Sequence, residues 1–83
     1  MGVLTVKQEI QEVSNKIIFM ENQIKQVSEI AKNAKENKDI SEKNRKTILK
    51  KCEVGTRHLE KAIAKGRELL SILVTRDPDE IAN

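Results

Sequence analysis

An antiparallel two-helix hairpin, all-α and coiled-coil-like, is the fold this chain predicts, and three observations predict it. The first is an apolar stripe of Val3, Val6, Ile10, Val13, Ile17, Met20, Ile24 and Val27, continued by Ala31 and Ala34. Its steps alternate three and four residues, the spacing of a heptad seam. The second is another stripe with the same steps: Leu49, Cys52, Thr56, Leu59, Ile63, Gly66, Leu70 and Leu73. The third is the mirror point between them. Folding the chain at Lys38 sets Val27 on Leu49, Ile24 on Cys52, Met20 on Thr56 and Ile17 on Leu59. Val13 then meets Ile63, Ile10 meets Gly66, Val6 meets Leu70 and Val3 meets Leu73. Lys38 sits inside the polar run Lys35-Glu36-Asn37-Lys38-Asp39, where a turn is chemically reasonable.

Each boundary has a local signal. Thr5 followed by Gln8 is a capping-box pattern, in which hydroxyl and amide each satisfy a free backbone N–H. The first helix is expected from about residue 6 to 35. Asn37 is expected to end it in the left-handed conformation, within a turn spanning 36–41. Asp39 with Glu42, or Ser41 alone, can cap the second helix, which is expected over about 42–75. Ile40 is placed to close over the turn. Asp77-Pro78 stops the second helix, because a residue before proline is pushed out of the α region. Pro78 can also start one short final turn within a tail of 76–83. Glu12–Lys16, Glu21–Lys25, Glu42–Lys46 and Glu53–Arg57 stand in the favourable i,i+4 order.

Composition narrows the functional classes. The chain has 83 residues, so one domain at most, and 35% charged against 1% aromatic residues suits long helices rather than a sandwich or barrel. Residues 1–40 carry six Lys and six acidic groups, so the net +3 comes from the second half, where Lys43, Arg45, Lys46, Lys50 and Lys51 cluster. One cysteine, Cys52, forms no internal disulfide, which favours a reducing, cytoplasmic setting. No apolar run approaches the ~20 residues of a membrane span. Met1-Gly2 opens a myristoylation motif, but Val6 stands where that motif needs Ser or Thr. There is no phosphate loop, nucleophilic triad or metal-ligand spacing, so no catalytic residue, cofactor or metal is expected. Cys52 reads as a small seam residue, and His58 falls on the polar side of the second helix.

A single seam between two helices buries little apolar surface for a chain of this size. The expectation is therefore that a partner completes it. Ile48, Gly55, Ala62 and Leu69 form a row beside the second seam, again at seven-residue spacing. Ile17-Ile18-Phe19-Met20 is apolar all round, and Ile18 and Phe19 point away from the seam. Gly55 and Gly66 both lie inside the second helix, where each costs about 1 kcal/mol relative to alanine; close approach of another helix and simple tolerance both account for them. The candidate partner-binding residues are Ile18, Phe19, Ile48, Gly55, Ala62, Leu69 and Ile72.

The polar turn Asn37-Lys38-Asp39-Ile40-Ser41, with Leu59-Glu60-Lys61-Ala62-Ile63 and Leu69-Leu70-Ser71-Ile72-Leu73 in the second helix, resembles the small helical-hairpin co-chaperones of bacterial type III secretion. The similarity covers about residues 20–75 and is one of length and pattern. It implies a cytoplasmic protein that pairs with a tetratricopeptide-type chaperone to hold a needle subunit before export. Two other classes stay open on the residues alone. One is a homodimeric four-helix bundle using the same row as a structural or regulatory adaptor. The other is nucleic-acid binding through the basic cluster, which lacks aromatic stacking partners.

Overall fold

The computed structural model describes residues 4–81, and within them two helices run antiparallel. α1 spans Val6–Glu36 and α2 spans Glu42–Leu73, with 31 and 32 residues. The molecule is a rod of 56 × 19 × 19 Å. No described helix is long and apolar enough to cross a membrane. The expected Val3–Leu73 layer, Met1-Gly2 and the last two residues of the tail lie outside the described residues.

The capping box forms. The Gln8 N–H donates to Thr5 Oγ1 at 3.3 Å, and the Thr5 N–H donates to Gln8 Oε1 at 3.0 Å. Two more N–H groups of the first turn are met by the other end of the chain. Val6 donates to the Glu80 carbonyl at 2.7 Å and Lys7 to the Pro78 carbonyl at 3.0 Å. The residues after α2 therefore form a strap over the start of α1, with an isolated antiparallel bridge between Thr5 and Ile81. Asp77 makes the strap's turn: its side chain accepts from the Asp79 N–H and its carbonyl from the Glu80 N–H, both at 3.0 Å. Val6 is fully buried beneath this end.

The other end departs from expectation. Asn37 caps α1 in an extended conformation (φ −79°, ψ 111°), not the left-handed one, and no described residue has a positive φ. The physical reason is Arg45. Its guanidinium donates to the carbonyls of Ala34 at 3.0 Å, Asn37 at 2.8 Å and Ile40 at 3.3 Å, and pairs with Glu42 at 2.6 Å. A side chain from α2 thus meets the Ala34 carbonyl, which a left-handed glycine or asparagine cap would otherwise satisfy. The Asn37 side chain accepts from the Asp39 N–H at 2.9 Å, and Ser41 caps α2 by accepting from the Asn44 N–H at 3.2 Å.

The register is also shifted. A Cβ on Gly66 would meet Ile17 at 3.1 Å and Val13 at 3.7 Å, so Gly66 faces those residues and not Ile10. The helices have slipped by about one turn relative to a fold centred on Lys38. Two heptad stripes match equally well after a slip of one seam step, so the pattern alone does not set the register. The five-residue turn and the Arg45 tie select it. Val13, Ile17 and Ile63 form the buried cluster, with Met20, Ile24 and Leu70 packed against it.

Candidate functional site

Two rows flank the seam on each helix, and one ion pair fixes how they face. On α1 the rows are Lys7, Ser14, Glu21, Ser28, Lys35 and Glu9, Lys16, Gln23, Ile30. On α2 they are Glu53, Glu60, Arg67, Val74 and Ile48, Gly55, Ala62, Leu69. Arg67 pairs with Glu21 across the helices at 3.4 Å, so the first-named rows share one side of the hairpin. The second-named rows share the other side. The first is the charged side; the second, the apolar side by virtue of its α2 row and Ile30, also carries Glu9, Lys16 and Gln23 of α1.

The charged side is where the seam gapes. An open groove of about 560 Å³ there is lined by Ser28, Lys35, Glu53 and Glu60, with Cys52 and Thr56 at its floor. Small and polar seam residues leave that space, since they fill less of it than leucine or isoleucine. Cys52 is a free, half-buried thiol. Glu21 crosses to Arg67 instead of pairing with Lys25, and Glu42 pairs with Arg45 rather than Lys46, whereas Glu53–Arg57 forms as expected at 2.8 Å.

The apolar side gathers most of the candidate residues. Ile48, Gly55 and Ala62 are half-buried along it, and Leu69 is exposed. Gly55 has nothing within 4 Å of where a Cβ would stand. Close approach thus separates the two glycines: Gly66 is filled by Ile17, while Gly55 opens outward. Phe19, 64% exposed, borders this side on α1 and stands level with Ala62 in the observed register. Ile72, 59% exposed, borders it on α2. Ile18 is exposed too, but its position on α1 falls next to Glu21, toward the charged side. The structure brings the other candidates to one side and leaves Ile18 apart.

Ile30 joins the apolar side without having been singled out. It is 53% exposed and stands level with the stretch between Ile48 and Gly55. Pairing the flanking rows of the two helices is the signal that finds it. Arg45 was grouped with the surface cations, yet its guanidinium is committed to the turn. His58 is exposed on the outer face of α2. Among the described residues, no three His, Cys, Asp or Glu side chains are placed to hold a metal ion. Among the described residues, no buried side-chain nitrogen or oxygen lacks a hydrogen-bond partner.

No protein-family model, curated protein or solved structure matches this chain.

Proposed function

We propose that the chain is a protein-binding helical hairpin that receives a helix of another protein along its apolar side. The observation that supports this reading is the one-sided row Ile48, Gly55, Ala62, Leu69, open at Gly55 and extended by Phe19, Ile30 and Ile72. A contiguous apolar row of this kind is a typical interaction surface, whereas scattered exposed apolar residues are ordinary. The small residues in the middle form a furrow, and larger ones stand at its ends. Such a shape suits the ridge of a packed helix. In its sharpest form the reading follows the resemblance to type III secretion co-chaperones. The hairpin then works in the cytoplasm beside a tetratricopeptide-type chaperone and the needle subunit it holds.

The test is affinity capture from cells with Leu69→Glu and Phe19→Ala variants, with helix content followed by circular dichroism. Both positions are exposed, so helix content is expected to be unchanged while the captured protein is lost. Equal capture by wild type and both variants contradicts the reading.

A further inference from the structure

We propose that the partner of the apolar side is an amphipathic helix whose apolar stripe carries acidic side chains along the border that faces α2. This rests on the docking reading above and adds the partner's chemistry. The row immediately outside Ile48, Gly55, Ala62 and Leu69 on α2 contains Lys51, His58 and Lys65, at the same seven-residue repeat. Two lysines, Lys51 and Lys65, thus stand beside the apolar row between Ile48 and Leu69. The charge belongs to α2 alone: it holds nine Lys and Arg against four Glu, while α1 holds five against five.

The hairpin's own ion pairs do not consume this row. Among the described residues, all four pairs use arginine: Arg45, Arg57, Arg67 and Arg76. Lys51 and Lys65 take part in none of them. An acidic border on a docking helix supplies their counter-charges and fixes its register, because like charges brought together there repel.

Other occupants fit less well. A second copy packed α2 on α2 brings two net-positive helices together, and its α1 has no excess of acid. A nucleic-acid backbone answers the lysines but leaves the apolar row facing water. A lipid surface rewards bulky side chains that insert, and the middle of this row is Gly55 and Ala62.

The experiment measures fluorescence anisotropy of two designed helical peptides, each about four heptads long with the same apolar stripe. One carries Glu along the stripe's borders and the other Gln. Anionic vesicles and duplex DNA are titrated alongside. The Glu peptide is expected to bind about tenfold tighter than the Gln peptide at ~50 mM salt, with the advantage largely gone at ~300 mM. The double variant Lys51→Glu/Lys65→Glu is expected to remove that advantage while keeping Gln-peptide binding, and Leu69→Glu to weaken both. Equal binding of the two peptides, lost in Leu69→Glu, overturns the acidic-border inference and leaves the docking reading intact. Binding of neither peptide overturns both, including when vesicles or DNA bind instead.

Discussion

The two sides of this hairpin flank one seam, yet they are built differently. On the charged side the helices exchange the Glu21–Arg67 ion pair, and the seam gapes nearer the turn, at Cys52 and Thr56. On the apolar side the α2 row offers Ile48, Gly55, Ala62 and Leu69, and α1 adds Ile30 and Phe19. The difference teaches that burial and binding are allotted to different rows of the same helices. The seam holds the fold, the charged side pairs Glu21 with Arg67 between its own helices, and the apolar side is left with surface to offer.

The comparison depends first on the seam, so the largest effect comes from breaking it. Ile63 is 5% exposed and belongs to the buried cluster with Val13 and Ile17. Ile63→Ala is expected to cost about 2–4 kcal/mol in urea unfolding, and both sides lose their geometry together. A loss below ~1 kcal/mol means the cluster does not hold the hairpin.

Arg45 comes next. Replacing it by alanine leaves the Ala34, Asn37 and Ile40 carbonyls without the guanidinium, and the expected loss is about 1.5–3 kcal/mol. Arg45→Lys is expected to recover only part of this, because an ammonium lacks the planar fork that reaches several carbonyls. Full recovery by lysine contradicts the role given to the guanidinium.

A smaller effect separates seam from apolar side through the two glycines. Gly55→Ala meets open space and is expected to raise stability by about 0.5–1 kcal/mol through helix propensity. Gly66→Ala presses on Ile17 at 3.1 Å and is expected to gain clearly less. Equal gains from thermal melts of the two variants would mean that Gly66 is not packed.

The smallest effect sharpens the contrast between the sides. Arg67 and Glu21 are both well exposed, so Arg67→Gln is expected to change stability by only a few tenths of a kcal/mol. Two positions further on, Leu69→Glu is expected to abolish partner capture, which Arg67→Gln leaves intact. Loss of capture in Arg67→Gln places the docking surface on the wrong side.

Much of this architecture was legible before any coordinates. The two stripes specify an antiparallel hairpin, and Thr5 and Gln8 mark the start of α1. The register was not legible, because a heptad pattern maps onto itself after each seam step. The position of the turn was legible, but not what holds it. Arg45 looks like one cation in a basic cluster, and only the folded turn shows which carbonyls lie within its reach. The strap was hidden for a related reason: backbone bonds from Val6 and Lys7 to Glu80 and Pro78 leave no trace in side-chain pattern. Ile18 and Phe19 both point away from the seam, yet a helix turns about 100° per residue and sends them to different flanks.

The central claim is that the isolated hairpin keeps its apolar side unoccupied for another protein. Sedimentation equilibrium of the purified chain across micromolar concentrations, with circular dichroism on the same samples, tests it most directly. The account predicts a helical monomer of 9.4 kDa that associates weakly at most. A fully helical dimer at every concentration, dissociated by Leu69→Glu, would show that a second copy already fills that side and would contradict it.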